Sequence, residues 1–253
     1  MNRKTPLFFL HGWAMTPAVW QPLIEALATG KSDFEIHAPA LPGHDGNAAE
    51  SASNLTAWAD ALAPGLPSGA TVIGWSLGAL LALELARTRP ERVERLILFS
   101  VTPRFVSAPD WPHGLDTTVV ASFTDGYLSQ PNQTLRRFLA LQTLGDPSRR
   151  QLLPQLEAAA VPHGGYPLPA LADGLKILAE SDLRLLLTEI RQPVRLVHSS
   201  DDALMPVGAA RWLAAALPRA CLTEIERCGH APLLSCPDDC AALIRASLDN
   251  DES

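Results

Sequence analysis

The chain contains no apolar run long enough to cross a bilayer, no Cys-x-x-Cys pair, no internal repeat and no low-complexity stretch. The first absence argues against a membrane-spanning helix. The apolar run Leu7 to Leu10 is too short for a signal-peptide core and lacks a small-residue cleavage site, so a cytoplasmic protein is expected. All four cysteines, Cys221, Cys228, Cys236 and Cys240, fall in the last fifth of the chain. Even with His230 among them their spacing is wrong for zinc, and reduced thiols are expected. Basic charge is also in short supply. Twenty Lys and Arg against 27 Asp and Glu give a formal net charge of −7, which argues against a nucleic acid or an anionic membrane as partner.

What is present suits a folded protein of one large domain, or a core domain carrying an insertion: 253 residues, 47% hydrophobic and 19% charged. Short apolar runs alternate with longer segments of helical pattern. The strand candidates are 7–12, 34–40, 71–76, 95–101, 194–200 and 221–229. Several are apolar almost throughout, as strands covered on both faces must be. Helix candidates lie near 17–28, 54–64, 77–88, 207–217 and 237–248, with Pro17 and Pro237 at first helical positions, where the missing N–H costs nothing. Such alternation predicts an α/β fold, a mostly parallel sheet flanked by helices. The alternation breaks once, between about Arg104 and Arg184, where the patterns "NQTLRRFLALQTLG" and "SRRQLLPQLEAAA" are helical and no strand appears. The expected organisation is a core of residues 1–103 and 185–253, with 104–184 inserted after the fourth strand as a helical cap.

In "TVIGWSLGAL", Val72 and Ile73 end a strand and Leu77 begins a helical pattern, so Ser76 falls at a strand-to-helix turn between Gly74 and Gly78. A nucleophile on so sharp a turn needs strained backbone, and neighbouring segments pack too closely there for side chains at the two glycine positions. The helix start behind it offers unpaired N–H groups to a developing oxyanion. Such a serine needs a base, and the base needs an acid to orient it. His230, just past the last strand in "RCGHAP", is the best placed of seven histidines; the loop after the fifth strand offers Asp201 and Asp202 together. Periodicity does not choose between them. For the oxyanion, the Leu77 N–H and the Trp13 N–H after the first strand are the expected donors. The plainer expectation for His37, His113, His163 and His198 is a structural or solvated role, and for His11 and His44 local hydrogen bonding.

With "LHGW", "LPGH", "GWSLG", "RFLALQTLG", "GLKILAESDLR" and "CGHAP" in hand, the chain resembles the α/β-hydrolase superfamily over its whole length, and within it the pimeloyl-[acyl-carrier protein] methyl ester esterases of biotin synthesis. The resemblance implies Ser76 as nucleophile, His230 as base and, because the family's acid precedes a proline by four residues, Asp202 as the acid ahead of Pro206. It implies a serine carboxylesterase with no metal or organic cofactor, whose substrate rides on an acidic acyl-carrier protein. Trp13, Met15, Trp75, Phe138 and Leu204 are the candidate acyl-binding residues. Arg136, Arg137, Arg149 and Arg150, opposed within 132–151 only by Asp146 (4 − 1 = +3), are the candidate carrier-docking residues. A monomer is expected. The rival readings are a broad short-chain carboxylesterase with no carrier partner and a catalytically silent binding module on the same fold. One departure from the family's pattern, Asp45 followed by Gly46 after "LPGH", implies a locally different loop shape.

Overall fold

A computed structural model describes residues 4–29, 34–47, 53–162 and 168–249; His163 and most of the acidic "DNDES" tail lie outside them. Six strands, β1 (Thr5–Leu10), β2 (Phe34–His37), β3 (Ala70–Trp75), β4 (Val93–Phe99), β5 (Val194–Ser199) and β6 (Ala220–Ile225), form one sheet in the order β2-β1-β3-β4-β5-β6. Every pairing is parallel. All of β3 is buried, and only Glu94 is exposed in β4, as central strands covered on both faces require. Around the sheet lie α1 (Gln21–Ala28), α2 (Leu55–Leu62) and α3 (Leu77–Thr88). Between β4 and β5 the chain adds α4 (Thr117–Ser129), α5 (Pro131–Gln142), α6 (Arg149–Ala159) and α7 (Pro169–Glu180), and after β5 come α8 (Val207–Ala216), α9 (Pro232–Ser235) and α10 (Pro237–Asp249). The added segment leaves and rejoins the core at one neck, where Arg104 Nη1 meets Asp182 Oδ2 at 2.8 Å and Leu183 N–H bonds Pro103 C=O.

The strand order places the site. From β1 the chain steps to one side to form β2, then crosses back to form β3 on the other side of β1. The loops leaving β1 and β3 therefore diverge, opening a crevice at the carboxyl ends of the strands, the usual ligand position in open α/β sheets. Backbone strain collects at this edge. Ala14, Ser76, Ser100 and Arg227, all at positive φ without being glycine, each follow a strand within a few residues.

Local chemistry accounts for most elements and for the differences from expectation. Thr16 Oγ1 accepts from Ala18 N–H just before Pro17, and Asn54 Oδ1 accepts from Ala57 N–H at the start of α2. The second strand stops at His37, short of Pro39, and the sixth stops at Ile225, because Arg227 turns with φ 58° and gives its N–H to Asp201. Two helices have weak sequence signals. α4 opens on Thr117, Thr118, Val119 and Val120, poor helix formers, and is started by Asp116 Oδ1 accepting from Thr118 N–H at 2.8 Å. α7 follows residues 163–167, which break the pattern. After "LPGH", Asp45 and Gly46 both take positive φ, so the altered dipeptide makes its own tight turn.

Gly78 is the tightest point: a Cβ there would run into the Leu10 and His11 carbonyls, backbone that has no freedom to yield. Gly78→Ala should destabilise the protein by about 3 kcal/mol, lowering Tm by roughly 5–10 °C in thermal unfolding. An unchanged Tm would show that β1 and α3 are not in such close contact.

Candidate active site

Ser76 caps α3 with φ 57° and ψ −119° and is nearly buried. Its N–H bonds Phe99 C=O at 3.1 Å, and its carbonyl takes the Ala79 and Leu80 N–H groups. The two flanking glycines permit this turn: a Cβ on Gly74 would lie 2.6 Å from Ala79 Cα, and Gly78 abuts the end of β1. Gly12 completes the crowding, since a Cβ there would reach within 3.4 Å of Ser76 Cβ. The backbone N–H groups of Leu77 and Trp13 have no hydrogen-bond acceptor among the described residues. Leu77 is the first residue of α3, where no intrahelical acceptor exists.

The turn carrying Trp13 is set by His11. Its Nε2 accepts from Leu41 N–H at 3.1 Å, so the ring proton is on Nδ1, which donates to Gly12 C=O at 2.9 Å. Burial, with the neighbouring His44 ring 5.4 Å away, lowers the His11 pKa to about 3. Burial likewise lowers His44, which donates to Pro42 C=O, to about 4. Both rings are neutral structural groups beneath the site.

His230 is held on every side. Its Nδ1 lies 2.7 Å from Asp202 Oδ2, its N–H bonds Gln142 C=O at 2.8 Å, and its C=O accepts from the Trp75 indole at 2.8 Å. Asp202 is buried, and its Oδ1 accepts the N–H groups of Leu204 and Met205, each at 2.9 Å. Burial alone would push this carboxyl up. The His230 charge and hydrogen bond, with help from His198 and the Met205 N–H, outweigh it and hold the group below the usual carboxylate range. The adjacent Asp201 is exposed and turned elsewhere, accepting from Arg227 N–H at 2.9 Å.

Of the candidate acyl-binding residues, Phe138 and Leu204 line an all-apolar cavity with Phe105, Phe123, Leu175 and Leu178. Trp13 stands behind it, edge-on to Phe123, Tyr127 and Phe138, with its indole donating to Leu171 C=O. Met15 and Trp75 are fully buried and are not in the cavity wall; Trp75 braces His230 instead. Arg136, Arg137, Arg149 and Arg150 are all exposed. Asp146, their one local counter-charge in sequence, is buried and accepts from Ser148 N–H and Ser235 O–H, so it does not face them at the surface.

Two residues beside the proposed triad have features that no sequence pattern signals. Gln142 bonds His230 through its backbone, while its buried amide has neither nitrogen nor oxygen partnered among the described residues. A buried amide left so is costly, and a ligand's polar atom or a water would relieve it. His198 is the other. Neither is separable in sequence from an ordinary helical Gln or strand His.

The neutral His11 and His44 have a consequence for stability. Between about pH 3 and 6.5 the unfolded chain binds more protons than the folded one, because both folded pKa values are depressed from 6.5. Stability contributed this way is complete above pH 6.5 and is lost as pH falls toward 4 and then 3. Tm measured against pH should climb across that window. His44→Asn, which keeps a donor for Pro42 but takes no proton, should give a shallower climb, and an unchanged slope would contradict this account.

Comparison with known proteins agrees with this architecture. The model of the alpha/beta hydrolase family matches residues 7–243. The pimeloyl-[acyl-carrier protein] methyl ester esterase of Aromatoleum aromaticum is 48% identical over 249 residues, covering 96% of this chain and 98% of that protein. The protein of the same name from Nitrosomonas europaea is 41% identical, over 92% of this chain and 91% of its own length. Among solved structures, an esterase from Exiguobacterium antarcticum superposes with a TM-score of 0.84 at 17% identity, over 98% of this chain and 93% of that one, a likeness of fold alone. A parallel six-stranded sheet, a serine strained between two glycines after β3 and a family match spanning nearly the whole sequence lead to one assignment: the chain belongs to the alpha/beta hydrolase family.

Proposed function

We propose that this protein is a serine esterase that hydrolyses the methyl ester of pimeloyl-[acyl-carrier protein], releasing methanol, in the biosynthesis of biotin. The observation that carries the chemistry is the 2.7 Å contact of His230 with an ionised, buried Asp202, on loops that flank the strained Ser76. The likeness to relatives of that name along 96% of the chain carries the substrate.

In this reading Ser76 Oγ attacks the ester carbonyl as His230 Nε2 takes its proton, and Asp202 holds the imidazolium that results. The tetrahedral oxyanion is met by the Trp13 and Leu77 N–H groups, which have no protein acceptor to give up. His230 returns the proton to the methoxy oxygen and methanol departs. Water, deprotonated by the same histidine, then attacks the acyl-enzyme and frees the carboxylate and Ser76. No metal or organic cofactor enters.

The apolar cavity under the cap suits the methylene chain of the substrate. It also suits a neutral methyl ester better than a free acid. A carboxylate formed beside apolar walls loses hydration without gaining a partner, which favours release of the product. At the surface, Arg136, Arg137, Arg149 and Arg150 would meet an acidic carrier protein, and the enzyme would work in the cytoplasm as a monomer.

Three measurements test this. Ser76→Ala should abolish ester hydrolysis and fail to rescue a biotin-requiring strain that lacks its own methyl esterase, which the wild-type chain should rescue. Asp202→Asn should lower kcat by about 10³–10⁴, since an amide leaves His230 in the wrong tautomer, while Asp201→Asn should be close to wild type. Reversing charge at Arg136, Arg137 and Arg150 together should lower kcat/KM for the carrier-bound ester about tenfold or more and leave a small soluble methyl ester unaffected. Equal rates on both substrates would favour the broad esterase.

A further inference from the structure

Asp202 is met by a second imidazole for which the reaction just described has no use. His198, in β5, is fully buried, with Nε2 2.6 Å from the Met205 carbonyl and 3.7 Å from Asp202 Oδ2. A carbonyl only accepts, so the ring proton is on Nε2. Nδ1 is then a bare lone pair, buried and without a partner among the described residues. Burial disfavours a second proton and keeps the ring neutral, although Asp202 pulls the other way.

The turn from Asp202 to Met205 is consequently gripped from two directions. Asp202 Oδ1 takes the N–H of Met205, and His198 gives its Nε2–H to the C=O of the same residue. With Leu204 N–H also on Oδ1, the carboxylate has little freedom to rotate, and Oδ2 is left facing His230 Nδ1. We propose that His198 is a positioning residue for the proposed triad: by holding the Met205 carbonyl it fixes the 202–205 turn, and its Nε2–H dipole steadies the charge on Asp202 Oδ2. The inference rests on the reading of Asp202 and His230 as acid and base. A residue kept only for packing would have no need to donate to the Met205 carbonyl.

The charged groups facing His198 are few. Asp202 and His230 lie on the loops after β5 and β6. Glu224 sits opposite in the β5–β6 register, with its carboxylate on Arg211 at 2.7 Å. Loss of the His198 contact should therefore be felt at Asp202 and His230, not at a surface ion pair.

The test compares His198→Leu, which fills the space without a donor, with His198→Gln, whose amide reaches the Met205 carbonyl. A phosphonate ester that titrates active serines corrects each rate for its active fraction. In His198→Leu, kcat on a soluble methyl ester should fall about tenfold or more with KM little changed, because an aligned base matters more in the transition state than in substrate binding. The acid limb of kcat/KM should move to lower pH by about half a unit, since an imidazolium with a loosened carboxylate is less stabilised. His198→Gln should recover most of kcat and the wild-type limb. Should the leucine variant not fold, His198→Asn, too short to reach Met205, takes its place with the same expectation. A wild-type kcat in His198→Leu, or an equal loss in the leucine and glutamine variants with no movement of the acid limb, would overturn the inference. His230→Ala run alongside separates the outcomes: if it still hydrolyses ester, the proposed function fails, and if it is dead while His198→Leu is normal, only the positioning role fails.

Discussion

The contact on which the rest of this structure depends is a backbone one, the seating of Gly78 at the start of α3 against the Leu10 and His11 carbonyls at the end of β1. Because no side chain intervenes, the helix begins almost in contact with the neighbouring strand end, and Ser76 is forced to φ 57° to make the turn. Strain of this kind costs about 1–3 kcal/mol and persists only where the surroundings over-determine it. Here they do. Phe99 C=O holds the Ser76 N–H, Trp75 is locked to the His230 loop, and Gly12 leaves room for the Trp75 ring, which a Cβ there would approach to 3.1 Å. The same approach brings the Trp13 turn beside the start of α3, so one steric constraint positions both the proposed nucleophile and the proposed oxyanion donors.

From there the segment inserted between β4 and β5, the proposed cap, joins the proposed site as a structural member. It bonds the loops of that site: Gln142 C=O takes the His230 N–H, Ala159 C=O takes Thr16, Ala14 C=O takes Val161 N–H, and Leu171 C=O takes the Trp13 indole. Lifting the cap as a whole would break the bond at His230 and those around Trp13 together. The apolar cavity itself meets the surface at Leu141 and Val119, both partly exposed. On the proposed function, substrate would thread past α4 and α5 while the catalytic loops stay bonded.

The sequence carried the parts of this design that obey a period or a fixed spacing. The parallel sheet was legible because β3 is almost wholly apolar and β4 is apolar from Leu96 to Phe99, and the serine turn because two glycines bracket it on a strand-to-helix boundary. α4 was not, because its first turn is β-branched and an aspartate cap supplies what propensity lacks. Periodicity left Asp201 and Asp202 open, and only the resemblance, through the spacing to Pro206, favoured Asp202. What separates them is that one is exposed and spent on Arg227, while the other is buried with three N–H groups around it. Gln142 and His198 make their contacts through backbone carbonyls, which leave no pattern along the chain.

These last residues show where the site departs from a well-satisfied interior. Beneath the Trp13 turn, His11 uses both ring nitrogens, and burial makes it a neutral strut. Around Asp202 the balance differs: one ionised carboxylate stands among two imidazoles and two peptide N–H groups, with charge enough to overcome its desolvation. Among the described residues, orphaned polar atoms occur on His198 beside that charge, on Gln142, whose backbone carbonyl holds His230, and on His44. On the proposed function, a polar atom of the substrate or a water that reached the Gln142 amide would relieve the cost of burying it unpaired, while the apolar cavity would take the methylene chain.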